Sequence, residues 1–255
     1  MAAPQIDLNS DLGEAFGPWS MGDDEAMMDL VTSVNIACGG HAGDPATMAA
    51  TVRAAAARGL GLGAHPSFAD KEGFGRRVIP MSAQAIEQLV ASQVGSLAGV
   101  AALEDASLRH VKAHGALANL GARDEDVADA IARAVRAVDE TLVLLAIAGT
   151  ALERAADRNG LAVAREGFAD RAYTPDGQLA PRGEPGAVLE DPDEAAERAV
   201  AMAEGRGLPL LTGEWKPQEV DSICVHGDTP GAVVMARRTR AALERAGFAI
   251  TRFGA

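Results

Sequence analysis

Four of the five histidines in this 255-residue chain stand at or just past the end of a short apolar run: His41 in "VNIACGGH", His65 in "GAH", His114 in "VKAH" and His226 in "ICVH". Imidazole exchanges a proton near neutral pH and is a common metal ligand. One histidine in such a place reads as a core residue. Four in the same setting read as one shared site. His110 begins its run instead, which places it at the opposite end and outside the set.

Carboxylates and a lysine join the histidines. In "QIDLNSD", side chains alternate along a strand, so Asp7, Asn9 and Asp11 share one face and Ile6 and Leu8 the other. Polar groups on a strand buried on both faces are costly unless satisfied. Glu14 follows in the loop. The same alternation pairs Lys112 with His114, and His226 with Asp228. A lysine aimed at such a centre can neutralise an anionic substrate group or carry a tuned proton. The candidate catalytic residues are therefore Asp11, His41, His65, Lys112, His114 and His226. Arg77 in "GFGRR", and Arg171 and Arg182 further on, are candidates for holding carboxylate or phosphate, because guanidinium groups bind such anions through paired N–H groups, and Asp170 beside Arg171 is a further substrate-binding candidate. Asn9, Glu14 and Asp228 complete that second group. Asp11, His41 and His65, with His226 beside them, are the natural ligands for a divalent metal, although their long spacings make the metal signal weak. Cys38 and Cys224 lack a nucleophile's setting and read as small core residues.

The elements that must position these residues alternate. Strands are expected at 5–11, 33–38, 61–65, 108–114, 142–148, 161–167 and 223–226. Ile86, Leu89, Val90, Val94, Leu97 and Val100 follow helical spacing, as do Val127, Ile131, Val135 and Val138. Further helices are expected over 192–205 and 230–246. Asp44-Pro45, Asp191-Pro192 and Thr229-Pro230 each place a capping residue before a proline, which marks a helix start. Repeated strand–turn–helix units predict an α/β fold with a parallel sheet, open or closed, and strand ends of such sheets carry the site. The Gly- and Pro-rich stretch 167–190 is a long loop, and long loops in compact domains are often functional. Nothing divides the chain, so a single domain over 1–255 is expected.

Composition narrows the function. The formal net charge of -13 gives no attraction for phosphate backbones, so a nucleic-acid partner is not expected. No apolar run reaches the roughly 18 residues that span a bilayer, and the first residues lack a signal peptide's basic flank and apolar core. With only two cysteines, the chain suits a reducing cytoplasm. The common P-loop, H-E-x-x-H and paired C-x-x-C patterns are missing from the sequence.

Six stretches in order, "DLNSDLGEAFGPW", "VNIACGGHAGDP", "GAHPSFADKEGFGRR", "VKAHGALAN", "EGFADRAYTPDGQLAPRGEPGAV" and "SICVHGDTPGAV", resemble the LamB/YcsF family. The resemblance runs from Ile6 to about Gly247. It implies an irregular seven-stranded parallel β/α barrel, in the superfamily that also holds carbohydrate deacetylases. It also implies the work of the A component of a bacterial 5-oxoprolinase, which opens the lactam of 5-oxo-L-proline to L-glutamate while ATP becomes ADP and phosphate. The B and C subunits of that enzyme are the implied partners, and ATP the implied co-substrate. Where the family pattern reads Lys-Pro-His-Gly-Ala-Leu-Tyr-Asn, this chain has Ala113 and Ala118 for the proline and tyrosine, and Ala118 is expected to widen the pocket. Ala180 stands in place of a usual valine. Two other classes stay open at this point: a metal-dependent deacetylase, and a binding protein whose partners do the chemistry.

Overall fold

The computed structural model describes residues 3–227 and 231–253. Six parallel strands follow one another around a ring: β1 (Gln5–Leu12), β2 (Ser33–Ala37), β3 (Gly61–His65), β4 (His110–Val111), β5 (Val143–Ile147) and β6 (Val163–Phe168). A two-stranded antiparallel ribbon comes next, β7 (Leu208–Pro209) with β8 (Trp215–Lys216). Then β9 (Ser222–Cys224) enters between β6 and β1 and closes the ring: Glu166 and Asp7 both stand in register with Ser222, and Phe168 and Asn9 with Cys224. The seven-stranded parallel barrel implied by the resemblance is the architecture of the molecule. A last short strand, β10 (Ala249–Ile250), pairs with the first residues of β1.

Each expected strand exists, with small differences at the ends. The ladder of β4 is only two residues long, yet the backbone stays extended beyond it: the Lys112 N–H donates to the Ala64 carbonyl and the His114 N–H to Pro66. Helices α1 (Asp24–Met28), α2 (Pro45–Ala57), α3 (Ala83–Ala102), α4 (Gly115–Arg123), α5 (Glu125–Val138), α6 (Ala151–Arg158), α7 (Pro192–Ala203) and α8 (Ala232–Arg245) surround the ring. Asp44 and Asp191 cap α2 and α7, each carboxylate accepting from two backbone N–H groups of the first turn. The Thr229-Pro230 helix start lies outside the described residues, and α8 is described from Ala232. The apolar stripes expected on α3 and α5 are buried, Val90, Val94 and Leu97 on one and Ile131 and Val135 on the other, and the two helices pack together. Helices α4 and α6 are only nine and eight residues long, too short for an apolar stripe to repeat over several turns, and were not legible in the sequence.

Aliphatic and alanine side chains fill one continuous layer between ring and helices. The inside of the ring is polar. Asp7 accepts from the hydroxyls of Ser33 at 2.6 Å and Thr32 at 2.8 Å, and from Ser222. Asn9 donates to Ser222 at 2.7 Å and accepts from Asn35 at 2.8 Å. His110 belongs to this interior. Its Nε2 donates to Asn35 Oδ1 at 2.7 Å, and its ring lies over Gly63, where a Cβ would sit 2.0 Å from that nitrogen. Only glycine fits there.

Burial raises the Asp7 carboxyl from 3.8 to about 6, against the pull of its three hydroxyl donors. The folded chain therefore binds that proton more tightly than the unfolded chain. The contribution to stability is present below pH 4 and is lost as pH rises through 6, a change of about 3 kcal/mol. Asp7→Asn is expected to gain stability relative to the wild type as pH rises from 4 to 7.5, and urea unfolding of both proteins across that range measures it.

Candidate active site

The loops after the strands carry the predicted histidines to one end of the ring. His65 closes β3, His114 caps α4, His226 follows β9 by two residues, and His41 sits four residues past β2 rather than at its end. That offset is built by glycine. Gly39 and Gly43 both adopt positive φ, the Gly39 N–H is held by the Ala42 carbonyl, and the chain turns into α2 with His41 facing inward. The rings of His41 and His114 stack with centroids 3.7 Å apart and 11° between planes. His65 meets both edge-on, at 5.4 and 5.0 Å. The edge of Phe74 covers the stack from the turn at Gly75, where a Cβ would strike Ser67, His114 and His41.

Hydrogen bonds fix two of the tautomers. A carbonyl only accepts, so His65 must donate through Nδ1 to the Lys112 carbonyl at 2.8 Å. Its Nε2 lies 3.3 Å from Asp11 Oδ2. His226 donates through Nδ1 to the Asp170 carboxylate at 2.8 Å, and its Nε2 accepts from Arg182 at 3.3 Å. Glu14 Oε1 lies 3.1 Å from His41 Nε2 and 3.8 Å from His114 Nε2. Burial, the neighbouring imidazoles and Arg76 hold His41 and His114 well below the usual histidine range, so both are neutral at pH 7.

Lys112 forms the floor. It is 4% exposed, and its Nζ lies 2.9 Å from Asp11 Oδ1 and 2.7 Å from Glu166 Oε1. Burial works against its charge, but Asp11, Cys224 and Glu166 together push its pKa well above the ordinary lysine value. Burial likewise works against ionisation of Asp11, and His65 and Lys112 outweigh it, so Asp11 stays ionised. Above this floor opens a cavity of about 450 Å³, lined among others by Asp11, Glu14, Lys112, Glu166, Arg182 and His226.

Over residues 6–255 the chain matches the LamB/YcsF family. It belongs to that family. A relative from Methylococcus capsulatus, named as the A subunit of 5-oxoprolinase, is 52% identical over 99% of this chain and 97% of its own length. One of the same name from Gluconobacter oxydans is 50% identical over 98% of each chain. A crystal structure of a lactam utilization protein from Thermus thermophilus superposes with a TM-score of 0.90 at 41% identity, covering 98% of this chain and all of that one. A putative cellobiose-phosphate cleavage protein from Enterococcus faecalis, 12% identical with a TM-score of 0.56, shares the fold alone.

Within this LamB/YcsF barrel the structure brings Asp11, His41, His65, Lys112, His114, His226, Glu14, Asp170, Arg171 and Arg182 to one end, and places two expected residues elsewhere. Asn9 is fully buried below the floor, where it bonds Ser222 and Asn35 and does not line the cavity. Arg77 points away from the cavity to a buried partner, Asp70, while its neighbour Arg76 lines the cavity. Nothing in "GFGRR" distinguishes the two arginines. Asp170 holds His226. Arg171 gives its guanidinium to the carbonyls of Ala180, at 2.5 Å, and Ala187, at 3.2 Å, and so shapes the loop. Asp228 lies outside the described residues. Ala118 lines the cavity, where the tyrosine of the family pattern would take up space. Sequence reasoning missed Glu166, although alternation with Phe168 in a buried strand is the same signal that marked Asp11. Cys224 is more than filler, since its Sγ lies 3.2 Å from Lys112 Nζ. Among the described residues no helix is long and apolar enough to cross a membrane.

Removing Lys112 leaves Asp11 and Glu166 facing each other without a cation. Lys112→Met is expected to cost about 3–5 kcal/mol at neutral pH. The deficit shrinks as pH falls and one carboxylate takes a proton, and Glu166→Gln in the same background recovers part of it. Urea unfolding of the three proteins at pH 5 and pH 8 checks this.

Proposed function

We propose that this chain is the A component of an ATP-dependent 5-oxoprolinase, opening the lactam of 5-oxo-L-proline to L-glutamate together with the B and C subunits. The observation that carries the reading is the match in name and full length of relatives about half identical to it, joined to a strand-end cavity that holds an oriented base beside cationic groups.

An unstrained lactam resists water because its nitrogen lone pair is delocalised into the carbonyl. With ATP as co-substrate, the lactam oxygen takes the terminal phosphoryl group and ADP leaves. The ring carbon is then electrophilic. His226, held by Asp170 in the tautomer that presents Nε2, takes a proton from water as the water oxygen bonds to that carbon. The C–N bond breaks as the ring nitrogen takes up a proton, leaving an acyl phosphate that a second water converts to glutamate and phosphate. Arg182, exposed at the cavity edge beside His226, is placed to hold the substrate carboxylate or the phosphoryl group. Lys112 keeps the floor cationic and fixes Asp11. Cytoplasmic residence accords with this chemistry.

The test is glutamate formation from 5-oxo-L-proline and ATP by this chain mixed with the B and C subunits, each omitted in turn. Glutamate is expected only from the full mixture. Its absence, when the same partners are active with another LamB/YcsF protein, overturns the reading. In the active mixture Asp170→Asn is expected to lower kcat by about 10²- to 10⁴-fold with KM little changed, because the variant loses the anion that holds His226 in its tautomer. Arg182→Met is expected mainly to raise KM.

A further inference from the structure

We infer that Glu14, His41, His65 and His114 form a site for one divalent cation of the zinc class. The inference stands on the geometry of these four residues and does not depend on which substrate the cavity takes. One ligand atom from each lies within 4.8 Å of the others, and all four side chains are buried. Three imidazoles and a carboxylate are the donor types that first-row divalent ions prefer.

Two further observations separate this cluster from a chance gathering of polar residues. First, His41 Nδ1, His65 Nε2 and His114 Nδ1 are buried without a hydrogen-bond partner. Buried polar atoms are nearly always satisfied, and His65 Nε2 is the orphan that an ion in the cluster satisfies; the Nδ1 atoms of His41 and His114 lie across their rings from Glu14 Oε1, which meets both at Nε2. Second, His65 donates through Nδ1 to the Lys112 carbonyl, which leaves Nε2 as the nitrogen that faces the cluster. A backbone carbonyl holding the far nitrogen is also the usual way a metal-binding histidine is oriented.

The neighbouring trio of Asp11, Cys224 and His226 is also close enough to share an ion, but its chemistry opposes one. Asp11 Oδ1 and Cys224 Sγ both face the Lys112 ammonium, at 2.9 and 3.2 Å, and His226 is committed to Asp170 and Arg182. The ligand set therefore differs from the Asp11, His41 and His65 expected from sequence: Glu14 replaces Asp11, and His114 joins.

The experiment uses the full chain stripped with a chelator and titrated with zinc chloride. Calorimetry and elemental analysis are expected to give one ion per chain, with a rise of several degrees in Tm. Glu14→Gln and His41→Asn are each expected to weaken binding by about tenfold or more, whereas His226→Asn keeps one ion at near wild-type affinity. Cobalt(II) is expected to give a visible d–d spectrum in the wild type that His41→Asn abolishes. If a ligand variant fails to fold, the wild-type stoichiometry and melting shift still decide. No ion bound by the wild type, or binding lost in Cys224→Ser and kept in both ligand variants, overturns the proposal. None of these readouts needs lactam, ATP or partner proteins, so they fail or succeed independently of glutamate formation.

Discussion

One buried ammonium holds this barrel's interior together. Lys112, just past β4, reaches across the ring to carboxylates on β1 and β6, the two strands that flank β9, and closes on both within 3 Å. An ammonium taken out of water is costly unless it is paired and hydrogen-bonded. Here the two carboxylates, Asn9 and Cys224 surround it. The pairing dictates the neighbouring roles. Asp11 must stay ionised, Asn35 must turn its amide N–H groups toward Asp11 and Asn9, and Asn35 Oδ1 is thereby left to accept from His110.

Direction is what this network transmits. Ser222 donates to Asp7 and receives from Asn9, Asn9 receives from Asn35, and the Lys112 carbonyl fixes His65. Each group has one consistent orientation, so the lone pairs presented at the cavity are determined from below. The upper members, His226 on Asp170 and the His41–His114 stack, are set by loops instead: the long segment after β6 supplies Asp170 and Arg182, and the Gly75 turn supplies the cover over the stack. A rigid polar interior with loop-borne groups above it is the usual division of labour in an α/β barrel.

Much of this was legible in the sequence. All seven ring strands could be located because each is a short apolar run between helical periods, and four histidines fell at the same end for the same reason. Asp11, Lys112 and His114 followed from alternation alone. Three kinds of information were not in the pattern. The two-residue strands β7, β8 and β10 are too short to show a period. Whether Arg76 or Arg77 faces the cavity depends on a turn whose Phe74 and Gly75 both have positive φ. Tertiary partners also decided the contacts of Asp170 and Arg171: the first holds His226, and the second donates to two loop carbonyls while lining the cavity. His110 illustrates the same limit: its place at the start of β4 was readable, but its bond to Asn35 required knowing that Gly63 leaves room above it.

The central claim is that the strand-end cavity above Lys112, and not the smaller hollow of about 410 Å³ at the other end of the ring beside Asp7, takes the lactam. A crystal structure of the chain grown with 5-oxo-L-proline tests it most directly. The predicted result is the ring in the strand-end cavity, its carboxylate toward Arg182 and its lactam carbonyl within reach of His226 and the Glu14–histidine cluster. Density for the lactam in the hollow beside Asp7 and Arg252, with the strand-end cavity empty, would contradict it.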